Sequence, residues 1–265
     1  MSKIKGRLIV FEGTDGCGKS NMITKINNYL STKKSLDVQI HAFPNGEFDY
    51  SYNNYLKIRE ILKDPISSKS DILQYMIISN MRMVFNNTIE QEIKEGKIVL
   101  LDRWLLSTIV YNAANKGQVL DAAYCKINDV KNIKRNYQDI DKKIHMKDFS
   151  DIFAELPIYP DKVFTISIHD NLLIDHSNWR NKHTKNKEVF DQTDSVLLHN
   201  NLYKQLLTKN NYTKEHNSLN KYNIILEKDI YSLIRPDKDY EEYKNENEIY
   251  KELERKIIDE LDKIF

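Results

Sequence analysis

The stretch Leu8-Ile9-Val10-Phe11-Glu12-Gly13-Thr14-Asp15-Gly16-Cys17-Gly18-Lys19-Ser20 decides the architecture of this chain. Its first four residues are apolar and partly β-branched, which reads as a short buried strand closed at Glu12-Gly13. Gly13, Thr14, Asp15, Gly16, Cys17, Gly18, Lys19 and Ser20 then satisfy G-x-x-x-x-G-K-[ST], and a helix-like stretch follows from about Gly18 to Tyr29. Strand, glycine-rich loop and helix in that order form the context that gives the motif meaning. The glycines let the backbone curl its N–H groups toward phosphate oxygens, and the start of the helix adds its positive end. Lys19 supplies a point charge to the β and γ phosphates, and Ser20 a hydroxyl ligand for Mg²⁺. The stretch therefore predicts a site for ATP or GTP. Cys17 reads as a small side chain that fits the loop rather than as a reactive thiol.

Outward from this loop, strands and helices alternate. Val38 to Phe43 reads as a second strand, closed by Pro44-Asn45-Gly46. Residues 52–63 read as a helix that Asp64-Pro65 breaks. Ser70 caps a long helix to about Lys94, apolar on most sides and hence mostly buried. Ile98-Val99-Leu100-Leu101-Asp102 is the third strand, and its unbroken apolar run suits a parallel sheet covered on both faces. A helix over 104–115, a strand from Lys162 to Ile168, a helix to about Leu207 and a fifth strand at Tyr222–Leu226 follow. Residues 169–189 are polar and read as a mobile lid loop. The segment 240–265 reads as an amphipathic helix with Ile249, Leu253, Ile257 and Leu261 at four-residue steps. The pattern predicts a single α/β domain over 1–265: a five-stranded parallel sheet flanked by helices, in three layers α/β/α.

Composition narrows the function classes. Forty Lys and Arg against 39 Asp and Glu give a net charge of +1, which argues against a nucleic-acid-binding surface. Two cysteines, Cys17 and Cys125, cannot build a disulfide scaffold, and no apolar run is long enough to span a membrane. A soluble cytoplasmic protein is expected. His169, His176 and His183 recur every seven residues, a weak zinc pattern without a partner cysteine.

Asp102-Arg103 closes the third strand, where the aspartate is placed to hold a Mg²⁺-bound water and the arginine to reach a phosphate. The Asn-Lys-x-Asp motif of GTPases is missing: Asn115-Lys116-Gly117-Gln118 and Asn181-Lys182-His183-Thr184 both lack the aspartate. Arg82 is a charge in an otherwise apolar helix, costly unless paired or bound to a ligand. Ile78 and Phe85 lie on its face and predict an apolar floor with one polar reader.

Glu12-Gly13-Thr14-Asp15, Phe43-Pro44, Ser79 with Arg82, Asp102-Arg103-Trp104, Ser107-Thr108 with Tyr111-Asn112, Leu156-Pro157 and Pro160-Asp161 occur in that order. This ordered set resembles the thymidylate kinase family of phosphate-loop (P-loop) nucleoside monophosphate kinases. The resemblance covers about residues 5–115 and 155–207. It implies transfer of the ATP γ-phosphoryl group to dTMP, giving dTDP, with Mg²⁺ held through Ser20 and Asp102. It implies that Asp15 bonds the acceptor sugar, that Arg82 reads thymine, that Arg103 holds the acceptor phosphate and that Tyr111 favours deoxyribose. Phe43, Pro44, Ile78, Thr108 and Asn112 complete the implied acceptor site. The family's remaining catalytic cation falls on Arg180, since position 16 is glycine. A homodimer is also implied, and 116–156 reads as an insertion. The rival readings are a deoxynucleoside kinase acting on thymidine or a related nucleoside, and a nucleotide-dependent binding protein or switch.

Overall fold

The computed structural model describes residues 5–64, 71–115, 160–183, 193–207 and 230–265. Its centre is a parallel sheet of five strands: β1 (Arg7–Glu12), β2 (Val38–Ala42), β3 (Ile98–Asp102), β4 (Lys162–Ile166) and β5 (Tyr231–Ile234), in spatial order β2-β3-β1-β4-β5. The apolar runs are buried on both faces because alternate side chains enter opposite layers. Leu8, Val10, Val99, Leu101 and Val163 point into one core, whereas Ile9, Phe11, Ile98, Leu100, Phe164 and Ile166 point into the other.

The first core is covered by α3 (Asp71–Val84), α5 (Leu105–Asn115) and α7 (Thr193–Leu206). The second is covered by α1 (Lys19–Lys33), α6 (Asp170–His183) and α8 (Glu246–Leu261). The α2 helix (Asp49–Ile61) packs on α3 through Ile58 and Leu73. The long helix expected over 70–94 is α3, a π turn at Phe85–Ile89 and α4 (Glu90–Lys94) in succession. All four residues of the C-terminal stripe, Ile249, Leu253, Ile257 and Leu261, are fully buried. Each such burial stabilises the fold by roughly 1.5–3 kcal/mol.

Two sequence expectations change. The polar segment expected as a loop over 169–189 is helical from Asp170 to His183, because Leu172, Leu173 and Ser177 seat one face of α6 against the second core. Residues 184–189 lie outside the described residues. The fifth strand of the sheet is Tyr231–Ile234, which pairs with β4, whereas the expected segment 222–226 lies outside the described residues. The expected insertion at 116–156 and the Leu156-Pro157 pair also lie outside them. No helix among the described residues is long and apolar enough to cross a membrane.

Candidate active site

β1 delivers the phosphate loop to the carboxyl edge of the sheet, where parallel α/β sheets bind ligands. Gly18 precedes α1 at φ 88°, and a Cβ there would lie 2.4 Å from Cε1 of Tyr250, so both backbone and space demand glycine. Thr14 Oγ1 donates to the Val196 carbonyl at 3.1 Å, tying the loop to α7. Lys19 is nearly buried, and its Nζ donates to the Thr14 carbonyl at 2.8 Å. Cys17 is fully buried in the second core, and burial pushes its thiol up from the ordinary range. That agrees with a packing role.

A cavity of about 390 Å³ opens over this loop, lined by Gly16, Gly18, Lys19, Ser20, Asp102 and Arg103 among others. Ser20 Oγ donates to Asp102 Oδ2 at 2.9 Å, while the buried Asp102 Oδ1 has no hydrogen-bond partner among the described residues. A hydroxyl oxygen beside an unsatisfied carboxylate oxygen at a phosphate loop is a donor set that fits Mg²⁺.

The third strand ends at Asp102, and Arg103 just beyond it adopts φ 76° as the chain turns from β3 into α5. Glu12 holds this turn from below. It is fully buried and accepts from the Trp104 backbone N–H at 2.9 Å and from the Ser107 hydroxyl. Burial drives its carboxyl above the ordinary range, against the lowering effect of Ser107, Arg103 and the Trp104 N–H. Arg103 Nη2 then donates to Asp15 Oδ1 at 2.6 Å, Tyr111 Oη donates to Asp15 Oδ2 at 2.6 Å, and the guanidinium lies over the Tyr111 ring. Burial alone would raise the Asp15 carboxyl. Arg103, Lys19, Tyr111 and Arg180 overcome it and hold Asp15 well below the usual carboxylate range.

A second cavity adjoins the first and shares Asp15 and Arg103 with it. Phe43, Pro44, Gln74, Ile77, Met81, Trp104, Thr108 and Tyr111 line it. The Phe43-Pro44 peptide is cis, and the segment is pinned to α3 by reciprocal bonds between Asn45 and Asn80 at 2.7 and 2.9 Å.

Most of the residues singled out from the sequence therefore converge. Asp15, Phe43, Pro44, Arg103, Thr108 and Tyr111 line the second cavity, and Gly16, Gly18, Lys19, Ser20, Asp102 and Arg180 the first. Ile78 does not join them: it is buried in the first core, as is Phe85. Arg82 is half-buried and is not among the side chains lining the cavity. The floor of the cavity belongs instead to the neighbouring stripe Gln74, Ile77 and Met81. A helix that is apolar on most sides, with its few polar residues scattered, has no continuous polar face to fix its rotation, so periodicity could not choose between the stripes. Asn112 lies on α5, with its side chain outside the described residues.

Other contributors went unseen in the sequence. His176 Nδ1 lies 2.7 Å from the Gly16 carbonyl and its Nε2 3.0 Å from Glu246, so α6 bridges the phosphate loop to α8. Arg180, which the resemblance already singles out as the catalytic cation, lies one turn on and reaches 4.0 Å from Asp15 Oδ1. His199 stacks on Tyr111 with ring centroids 4.0 Å apart. Neither His176 nor His199 has a local sequence signal for this placement. Gln74 did have one, as a polar residue in the same apolar helix that drew attention to Arg82. His169, His176 and His183 face different surroundings, and the described residues hold no group of three or more His, Cys, Asp or Glu side chains that could ligate a metal.

The sequence model of thymidylate kinase matches residues 11–147, just over half of the chain. This chain belongs to the thymidylate kinase family. The thymidylate kinase of Desulfotalea psychrophila is 39% identical over 115 residues, which span 43% of this chain and 54% of that protein. That of Fervidobacterium nodosum is 27% identical over 190 residues, 71% of this chain and 80% of its own length. Across several curated thymidylate kinases, the matched part of the chain spans about half of their length. The fold agrees with the solved thymidylate kinase of Ehrlichia chaffeensis, at a TM-score of 0.54 and 19% identity, covering 97% of this chain and 98% of that one. It agrees similarly with the Candida albicans enzyme, at 0.53 and 19%, covering 88% and 86%.

Proposed function

We propose that this thymidylate kinase family member transfers the γ-phosphoryl group of ATP to dTMP, giving dTDP and ADP. The observation that carries the proposal is the Asp15–Arg103 pair, which forms the shared wall of the two cavities. A donor phosphate chain in the first cavity and an acceptor in the second would meet there. A phosphate oxygen of the acceptor forms a bond to the γ-phosphorus as the bond to the β–γ bridging oxygen breaks.

Such transfer depends on positioning and charge neutralisation. The loop amides, the positive end of α1 and Lys19 hold the donor. Ser20 and Asp102 would hold Mg²⁺, which when bound neutralises charge on the donor phosphates. Arg103 orients the acceptor phosphate, Asp15 the acceptor sugar, and Tyr111 packs beside it. Arg180 on α6, 4.0 Å from Asp15 Oδ1, would add a further cation beside the transferring group. Phe43, Pro44 and Thr108 enclose the acceptor.

The proposal extends to a homodimer, supported by the exposed apolar side chains Leu56 and Ile72 on α2 and α3. It also extends to action in the cytoplasm, supported by the free, buried thiol of Cys17. ADP formation measured over a panel of nucleosides and nucleoside monophosphates tests the activity. Rapid turnover with dTMP is expected. Turnover with thymidine instead would make the chain a nucleoside kinase, and slow hydrolysis indifferent to any acceptor would make it a nucleotide switch.

A further inference from the structure

Gln74 is 2% exposed, lines the second cavity from α3, and its Oε1 has no hydrogen-bond partner among the described residues. The cavity holds a second orphan: the indole Nε1 of Trp104, which is 3% exposed, also lacks a partner there. The remaining wall joins the apolar Phe43, Leu62, Ile77 and Met81 to the charged side chains of Asp15, Arg59 and Arg103. A buried acceptor and a buried donor left unpaired in one cleft are costly to keep for packing alone, since leucine or methionine would fill the same space. Each becomes satisfied if a ligand presents an N–H and a carbonyl along one edge.

We infer that Gln74 is a specificity-determining residue that pairs with the imide edge of a pyrimidine-2,4-dione base. Its Oε1 accepts the base N3–H while its Nε2 donates to a flanking carbonyl. Trp104 can only donate, and so also favours a carbonyl. Gln74 shares one face with Ile77 and Met81, so the polar reader stands at the end of an apolar floor. This places the reading role one stripe round the helix from Arg82. The inference rests on the proposal that the acceptor is a pyrimidine nucleoside monophosphate.

The test uses dTMP and its N3-methyl analogue, which lacks the N–H. In the wild type, N3-methylation should lower kcat/KM by about 50-fold or more, because a site built to hydrogen-bond discriminates strongly against loss of that bond. In the near-isosteric Gln74→Met variant, kcat/KM for dTMP should fall by about 50-fold, and the penalty for N3-methylation should shrink below about 5-fold. The KM for ATP should stay within about 2-fold, since Gln74 does not line the donor cavity. Gln74→Leu repeats the measurement with a second side chain that the helix accommodates. An N3-methylation penalty that survives unchanged in both variants overturns the inference, because a merely structural role would leave that ratio alone. A wild type that phosphorylates no monophosphate would overturn the phosphoryl-transfer proposal instead. Calorimetric titration of the same proteins with the same two ligands would then decide Gln74, and failure of the wild type to bind dTMP would overturn both.

Discussion

Asp15 Oδ1 and Arg103 Nη2 lie 2.6 Å apart, although 88 residues separate them in sequence. One belongs to the phosphate loop after β1 and the other to the turn after β3, and the parallel pairing of those strands brings Phe11 level with Asp102. The pair is therefore a direct product of sheet register. Replacing Asp15 by Asn keeps its shape but removes the charge that Arg103 and Tyr111 address. Because the pair is only partly shielded from solvent, we expect a stability loss of about 1–3 kcal/mol, less than for a fully buried pair. Urea unfolding measures that loss. A parallel drop in kcat/KM for dTMP is expected, and unaltered kinetics would remove Asp15 from the acceptor site.

Lys19→Ala tests the phosphate loop. The ammonium group now rests on the Thr14 carbonyl inside the loop and is free to turn to a phosphate. Turnover should fall by roughly 10²–10³-fold, the usual loss for one preorganised charge in a shielded site. The circular dichroism spectrum should not change. Near-normal turnover would end the proposed donor grip.

Arg180→Ala separates chemistry from binding. The guanidinium sits on a helix that His176 fastens to Gly16, 4.0 Å from Asp15 Oδ1. We expect kcat to fall by about 10²-fold while the dissociation constant for ATP moves by less than about 3-fold. Steady-state kinetics with equilibrium ATP titration reads both, and an unchanged kcat would move the catalytic cation elsewhere.

His199 predicts a pH dependence of stability. Burial, chiefly, depresses its imidazole from the ordinary 6.5 to about 4, with Asp15 opposing and Arg103 assisting. The folded protein therefore keeps the ring neutral where the unfolded chain takes up a proton. Stability from this group is fully present above about pH 6.5 and is lost as the pH falls toward and through 4, amounting to about 3 kcal/mol in all. Urea midpoints measured between pH 4 and 7 should fall less steeply for His199→Phe than for the wild type, and identical slopes would discount the prediction.

The fold and the phosphate loop could be read along the chain because their signals are local. A run of apolar residues buries both faces of a strand wherever it sits, and G-x-x-x-x-G-K-S shapes its own backbone. The amphipathic C-terminal helix was legible for the same reason, through Ile249, Leu253, Ile257 and Leu261. The helix of Asp170–His183 was not, because its polar composition hides the three residues that seat it. Nor was the strand Tyr231–Ile234, whose four residues carry too little pattern to stand out.

What the linear order settled, then, was the class of fold and the place of the glycine-rich loop within it. What it did not decide was which stripe of α3 faces the cleft: it pointed to Ile78 and Arg82, whereas Gln74 and Ile77 line the second cavity. Rotation of a helix that is apolar on most sides is set by the surfaces packed against it, here Trp104 and the strand residues of the first core. The same holds for Glu246 and Tyr250, which reach the phosphate cavity only because α8 docks beside α1. Contacts between distant segments follow from the packing of whole elements, and no short window of residues records that packing.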